Sequence, residues 1–180
     1  MSSLKTEIAQ ERPFASVEEE TLLNLMRTTD CVQRAFQRST REWGVTSTQY
    51  NVLRILRGAH PNGLTCSAIG NRMITADPDI TRLLNRLKNL KLIRQQRDRH
   101  DRRVVWTYIS ESGLELLGEM DPVITRTPKE LLGHLTQREL SELIRLLELA
   151  RRNCGDAQTS VSCSGGAEDG HAVCDRAGAA

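Results

Sequence analysis

Apolar residues recur along much of this chain at offsets of three, four and seven, the spacing that places side chains on one face of an α-helix. The first such segment covers residues 17–43, and Gly44 ends it. A second begins after Thr46, where Gln49 occupies the third helical position and completes a capping box. A turn at residues 60–63 follows, so the first third of the chain is predicted to be two amphipathic helices.

Two shorter helices are predicted next. Thr65 suits the cap of a helix that extends to about residue 73. Asp77 suits an N-cap and Pro78 the first helical position, because proline lacks an N–H that the first turn does not use. The fourth helix then extends to about residue 90, and its apolar residues form one stripe: Ile80, Leu83, Leu84, Leu87 and Leu90.

A β-hairpin is predicted after the fourth helix. Its strands are residues 92–96 and 104–109, and the second is rich in β-branched and aromatic residues, which favour a pleated surface. Residues 65–109 carry ten Lys and Arg against four Asp and Glu, within a chain whose net charge is +2. This local positive charge favours a polyanionic partner, although charge alone leaves an ordinary solvated surface as an alternative.

Two helices are predicted to complete the ordered part. The first starts at Ser110 and is predicted to bend at Pro122 and to break again at Pro128, because proline lacks the N–H that an inner helical turn requires. The second starts with a capping box at Thr136 and Glu139 and extends to about residue 153.

The two ends of the chain are polar. Residues 1–16 are predicted to be a flexible arm, and residues 154–180 a disordered tail with few large apolar side chains. Aromatic residues are 3% of the chain, so the core must be aliphatic. There is no apolar stretch of about 18 residues and no leader pattern, so we expect a cytoplasmic protein that makes no membrane contact.

The polar face of the fourth helix is the first candidate for function. Arg and Asn are the side chains that form paired hydrogen bonds with guanine and adenine in the major groove. We favour Thr81, Arg82 and Asn85 for contacts with bases, because residues near the start of a recognition helix penetrate furthest. The full predicted set on this helix is Pro78, Thr81, Arg82, Asn85, Arg86 and Lys88. A surface helix with polar residues outward is the alternative.

The hairpin tip strengthens the nucleic-acid interpretation. An arginine in a narrow minor groove gains from the negative potential there. Asp98 is predicted to shape the turn and Asp101 to orient a neighbouring arginine. A helix pair followed by such a hairpin predicts a mainly α fold with a small β-hairpin wing, a winged helix-turn-helix that binds double-stranded DNA. The predicted wing contacts are Arg97, Arg99, His100, Arg102 and Arg103.

These segments resemble the MarR family of winged-helix transcription regulators. The similarity covers roughly residues 18–153, and the matching segments are residues 44–53, 80–87, 98–103, 109–113 and 135–140. The family usually has glycine just before the first wing strand, where this chain has residues 89–92 without one. Asp77 and Asp79 also place two carboxylates at the start of the recognition helix, where capping is the favoured role.

The resemblance implies a homodimer. Residues 17–45 and 111–153 would form the dimerisation helices, and residues 46–110 the DNA-binding region. Each subunit would offer one winged helix to half of a palindromic operator, as a repressor released by a small molecule. Many relatives bind small aromatic acids between the dimer helices and the winged helix. The apolar stripes of the first and last helices independently require a partner surface.

Other classes of function have weaker support. Cys31 and Cys66 are candidates for an oxidative signal, although buried, inert cysteine is the commoner outcome. The spacing of Cys163, His171 and Cys174 fits no standard zinc pattern, so we expect no metal, and we expect no other cofactor. No catalytic motif is evident, so an enzyme is not expected. A winged helix that contacts protein or RNA without reading an operator is the alternative function.

Overall fold

The computed structural model describes residues 4–75 and 79–154. It confirms a mainly helical chain with a small antiparallel sheet. Within those residues, no helix is long and apolar enough to cross a bilayer. The elements are α1 (Leu4–Glu7), α2 (Val17–Arg41), α3 (Ser47–Ala59), β1 (Leu64–Thr65), α4 (Cys66–Gly70), α5 (Ile80–Asn89), β2 (Ile93–Arg97), β3 (Val105–Ile109), α6 (Glu111–Leu132) and α7 (Gln137–Arg151).

Side-chain caps begin the helices where the sequence predicts them. At α3, the Thr46 hydroxyl accepts a hydrogen bond from the Gln49 N–H, and the Gln49 side chain accepts one from the Thr46 N–H at 2.8 Å. Thr136 and Glu139 form the same box at α7. Thr65 caps α4 as predicted. These caps satisfy N–H groups that have no partner within the helix.

The cap of α5 differs from the prediction. Asp79, not Asp77, is the N-cap, and its carboxylate accepts the N–H of Arg82 at 3.0 Å. The helix therefore begins at Ile80, and Pro78 is not its first residue; Asp77 and Pro78 lie outside the described residues. Asp77 and Asp79 are both residues of the type preferred at an N-cap, and the helix starts at Ile80, the first buried residue of the apolar stripe.

The long helix α6 passes through both of its prolines. The predicted break at Pro128 is wrong, because α6 is continuous from Glu111 to Leu132; the bend at Pro122 stays a prediction. Packing holds the segment between them in place. The buried Thr127 hydroxyl donates to the Val123 carbonyl at 3.0 Å and lies 2.9 Å from the Ser39 hydroxyl of α2. Tertiary contact therefore offsets the local cost of proline.

The sheet has the strand order β1-β3-β2, and both pairings are antiparallel. The predicted hairpin is confirmed within one residue at each strand. The short strand β1 was not predicted, because two residues carry no alternation signal. It places Leu64 opposite Thr107 of β3, so the sheet joins the start of α4 to the wing.

The N-terminal arm is partly ordered. Residues Leu4–Glu7 form a helical turn, and Leu4 is buried, which corrects this part of the predicted flexible arm. The Glu7 carboxylate lies 3.9 Å from the Arg27 side chain of α2, so the turn lies beside that helix. The predicted tail lies outside the described residues, apart from Cys154.

One aliphatic core lies beneath α5. It is formed by side chains of α3, α4, α5, the sheet and α6, with Phe36 of α2 packed at its edge. Leu53, Leu56, Ile69, Leu87 and Leu117 are fully buried there. The helix α7 contributes no buried residue within the described chain. The core is therefore that of the winged helix, and the outer helices reach it only in part.

Close packing explains one glycine after the wing. A Cβ at Gly113 would lie 2.3 Å from the Leu92 carbonyl oxygen and 2.8 Å from Cγ1 of Ile109. The first turn of α6 therefore approaches the start of β2 more closely than any other side chain permits. Gly113 is the glycine of the segment at residues 109–113 that resembles the family.

The turn between α5 and β2 keeps a glycine-type geometry without a glycine. Lys91 has φ of +60°, in the left-handed region. The Lys91 N–H donates to the Lys88 carbonyl at 2.9 Å, and the Leu92 N–H donates to the Leu87 carbonyl at 3.1 Å. This pair of hydrogen bonds is a Schellman motif. The departure from the family pattern at residues 89–92 therefore places a strained residue between recognition helix and wing.

We expect Lys91→Gly to stabilise the protein by roughly 0.5–1 kcal/mol, because glycine adopts the left-handed region without the Cβ clash. The larger entropy that glycine gains on unfolding offsets part of this stabilisation. Thermal or urea unfolding measures the change. Lys88→Gly is the matched control, since Lys88 lies within α5 and glycine there destabilises a helix by about 1 kcal/mol. Equal destabilisation by both variants would contradict the strain at Lys91.

Candidate nucleic-acid interface

The helix α5 carries its apolar and its polar side chains on separate faces, so the polar face is available for contact with DNA. Ile80, Leu83, Leu84 and Leu87 are buried in the core. Thr81 is half-buried, and the rest of the predicted set on the described part of α5 is exposed: Arg82, Asn85, Arg86 and Lys88. The structure therefore brings these five together on the outer surface of one helix.

The wing begins three residues after α5 ends, so the two candidate surfaces are close in the chain. Arg97 is the last residue of β2 and pairs with Val105. The tip turns over residues 98–104, where the Asp98 N–H donates to the Val104 carbonyl at 2.9 Å. Every predicted wing contact is exposed: Arg97, Arg99, His100, Arg102 and Arg103.

Asp98 shapes the wing turn as predicted. One carboxylate oxygen, Oδ1, accepts the N–H groups of His100 at 2.8 Å and Asp101 at 3.0 Å. The other, Oδ2, accepts the indole N–H of Trp106 at 2.9 Å. These hydrogen bonds, first that from Asp101 and then those from Trp106 and His100, hold the pKa of Asp98 below its ordinary value. One carboxylate thus joins the turn to β3.

Asp101 has a weaker role than Asp98. It accepts the backbone N–H of Arg103 at 2.9 Å, and its oxygen lies 3.7 Å from Nε of the same arginine. The Arg103 side chain is 96% exposed. An ion pair this exposed contributes about 0–1 kcal/mol, so it orients the guanidinium only loosely. Asp101 therefore holds Arg103 mainly through the backbone N–H and only weakly through the guanidinium, whose orientation was predicted.

The wing contains a stiffening contact that the sequence pattern does not reveal. The Arg94 guanidinium lies 4.1 Å from the centre of the Tyr108 ring, directly across the β2–β3 pairing. A Cβ at Gly63 would meet the same ring at 2.7 Å, so the turn before β1 also packs against Tyr108. Cross-strand pairs are visible in sequence only after the register is known.

A second missed contact joins the winged helix to α6. The Arg57 guanidinium of α3 makes three hydrogen bonds of 2.8–3.0 Å with the Asp121 carboxylate. These bonds raise the pKa of Arg57. The partners are 64 residues apart, so no local pattern connects them. This bidentate pair and the Ser39–Thr127 contact fix α6 against α3 and α2.

The two candidate cysteines differ in state. Cys31 is a free, exposed thiol on α2, and Nη2 of Arg34 lies 3.9 Å from its sulfur. Cys66 is disulfide-bonded. A role for either residue in an oxidative signal stays a prediction.

The Asp98 hydrogen bonds predict the pH dependence of the wing. Because its pKa is lowered, the carboxylate stabilises the turn from neutral pH down through 3.8, the ordinary value, and this stabilisation is lost as the pH falls further, through the lowered pKa. The indole N–H resonance of Trp106 should therefore shift with a midpoint below pH 3.8.

Trp43 provides an internal control for this titration, since its buried indole N–H has no hydrogen-bond partner in the part of the chain that the structure describes. Its resonance should stay constant while that of Trp106 moves. In Asp98→Asn, the Trp106 resonance should already be displaced at neutral pH. A Trp106 midpoint at or above 3.8 would contradict the assignment.

Comparison with known proteins places this geometry in a family. The model of the MarR family matches residues 43–104. A MarR transcription factor from Planctomyces limnophilus is 38% identical and has a TM-score of 0.60; the match covers 76% of this chain and 99% of that one. BpsR from Bordetella bronchiseptica, whose DNA binding is regulated by 6-hydroxynicotinic acid, is 23% identical with a TM-score of 0.66, and the match covers 74% of this chain and 99% of that chain.

The fold also matches a protein solved on DNA. Sco3205, a MarR family regulator from Streptomyces coelicolor in complex with DNA, is 14% identical with a TM-score of 0.72, over 84% of this chain and 97% of that one. Likeness at this identity concerns the fold alone. The identity and coverage of the Planctomyces match, together with the family model, establish the family. This chain belongs to the MarR family of winged-helix transcription regulators, which are not enzymes.

Proposed function

We propose that this chain is a homodimeric transcriptional repressor that binds a palindromic operator in the cytoplasm, with α5 in the major groove and the wing in the minor groove. The supporting observation is the exposed Arg82 and Asn85 surface of α5 beside a hairpin tipped with arginines. Base-reading side chains and a minor-groove arginine are the two parts that specific duplex recognition needs. The recognition helices of the two subunits would lie one DNA turn apart, about 34–36 Å, or a small multiple of it.

The uncovered apolar faces of α2 and α7 support the homodimer. Large apolar side chains that would normally be buried are exposed on both helices: Leu22, Leu25, Met26 and Val32 on α2, and Leu143, Ile144, Leu146 and Leu149 on α7. Caps and continuous hydrogen bonding make both helices regular, so the exposure is not caused by fraying. A second copy of the chain offers the same two faces and so satisfies both.

Release by an effector completes the proposal. The DNA binding of BpsR is regulated by 6-hydroxynicotinic acid, and by analogy we propose a small aromatic acid as the effector of this chain. The site we propose for it lies between the dimer helices and the winged helix, where Arg57 and Asp121 join α3 to α6. The free thiol of Cys31 makes an oxidative signal the alternative.

Sequencing the genomic DNA that the purified protein retains tests the function directly. One enriched, two-fold symmetric motif is the expected outcome. Retention of RNA or a protein, with no duplex preferred over random competitor at moderate salt, would instead favour a winged helix that does not read an operator.

The dimer is expected to have twice the mass of one chain in light scattering at micromolar concentration. Leu25→Glu and Ile144→Glu each place a charge in the uncovered faces and should shift the mass towards one chain, because burying an unpaired carboxylate is costly. Asn24→Glu on α2 is the control, since it adds the same charge at an exposed polar position. A parent protein that stays monomeric would contradict the proposed homodimer.

Arg82→Ala should weaken operator binding by about 1–3 kcal/mol and relax the preference at one base pair of each half-site, because a paired contact with a base edge is lost. Fluorescence anisotropy with single-base operator variants measures both effects. Arg126→Ala is the control, since it removes an exposed arginine of α6 that forms a surface ion pair with Glu130. An unchanged base preference would reject the placement of Arg82.

Arg99→Ala and Arg102→Ala should act differently from Arg82→Ala. Both side chains are exposed at the wing tip, and loss of a contact with the DNA backbone lowers affinity evenly across DNA sequences. Each should reduce the slope of log affinity against log salt by about 1, because one fewer counterion is released. Equal slopes for parent and both variants would show that the wing does not contact the duplex.

A further inference from the structure

One buried amide side chain in α3 has only part of its hydrogen-bonding capacity satisfied. Asn51 is 7% exposed, and its Oδ1 accepts the backbone N–H of Ile74 at 3.0 Å. Its Nδ2 is buried and has no hydrogen-bond partner among the described residues. Its neighbours Val52 and Leu53 are fully buried apolar residues. A buried donor without a partner destabilises the fold, so packing alone does not account for an amide at this position.

The N–H group that donates to Asn51 lies at an informative place in the chain. Ile74 belongs to the connection between α4, which ends at Gly70, and α5, whose N-cap is Asp79. Met73 packs against the core immediately before it. Ile74 is 79% exposed, so apolar burial does not hold this residue. The hydrogen bond that the Ile74 N–H donates to Asn51 therefore holds the backbone where it leaves the core.

The start of α5 is the part of the proposed interface that needs the finest placement. Thr81, Arg82 and Asn85 lie within the first six residues of the helix. The leucine stripe restrains rotation of α5 about its axis, and the hydrogen bond to Asn51 holds the chain five residues before the N-cap Asp79. Displacing a base-contacting group by a fraction of an ångström is enough to lose a paired hydrogen bond.

We propose that Asn51 is a positioning residue for DNA recognition, which holds the α4–α5 connection through the Ile74 N–H and so sets the N-terminal end of the recognition helix. The inference rests on the proposed function, because it concerns how that function is achieved. Water can satisfy the Ile74 N–H once Asn51 is removed, and the unpartnered Nδ2 disappears with the side chain. Loss of Asn51 should therefore change placement more than stability.

Three variants separate these effects. Asn51→Ala removes the acceptor. Asn51→Asp keeps the shape of the side chain and an oxygen for the Ile74 N–H, but it buries a carboxylate, so it should cost stability while retaining the hydrogen bond. Val52→Ala is the matched control, since it removes buried side-chain volume at the adjacent residue without touching the connection.

The measurements are hydrogen exchange of the Ile74 amide in the free protein, melting temperature, and affinity for the operator selected from genomic DNA. Asn51→Ala should raise Ile74 exchange at least tenfold and weaken operator binding about tenfold, with little change in melting temperature. Asn51→Asp should lower the melting temperature but stay within about threefold of the parent in Ile74 exchange and in operator affinity below the transition. Val52→Ala should lower the melting temperature but leave exchange at Ile74 and affinity below the transition close to those of the parent.

The outcomes separate failure of this inference from failure of the proposed function. A parent that prefers no duplex removes the proposed function and this inference together. A parent that binds its operator, with Asn51→Ala binding equally well despite faster Ile74 exchange, overturns only the positioning role. Equal loss of affinity in Asn51→Ala and Val52→Ala, in proportion to lost stability, also overturns it.

Discussion

Burial of the leucine stripe of α5 is the interaction on which the rest of the interface depends. Leu83, Leu84 and Leu87 pack into one aliphatic core with α3, the sheet and α6. Because a helix places successive residues 100° apart, burial of this stripe turns the arginine and asparagine side chains outward. Burying side chains of this size stabilises the fold by roughly 1.5–3 kcal/mol each, well above the energy of any single surface contact near them. The apolar side of α5 therefore decides what its polar side presents.

Local hydrogen bonds determine how the wing is joined to that helix. The Schellman turn at Lys91 ends α5 and starts β2 within three residues, and it does so with a side chain in the left-handed region. At the far end of the hairpin, Asp98 gathers two backbone N–H groups and the Trp106 indole. The Asp98 carboxylate, whose charge repels phosphate, is thus held by hydrogen bonds inside the turn, and the arginines remain at the surface.

Two polar contacts hold α6 against the rest of the protein, one to α3 of the winged helix and one to α2. The bidentate Arg57–Asp121 pair is partly exposed, so its value lies in geometry more than in stability. The Ser39 and Thr127 hydroxyls join α2 to α6 near Pro128. A change in the angle between α6 and either α3 or α2 must therefore alter these contacts.

The sequence by itself determined the helices, the capping boxes at Thr46 and Thr136, the hairpin and the family, because periodicity, caps and turn chemistry are local properties of a few adjacent residues. It also indicated the outward face of α5, since the apolar stripe defines its opposite. The tertiary structure alone decided which aspartate caps α5, that α6 continues through Pro128, and that Arg57 meets Asp121 and Asn51 meets Ile74. The last three outcomes depend on residues 23 to 88 positions apart, and their energies arise only when packing brings distant segments together.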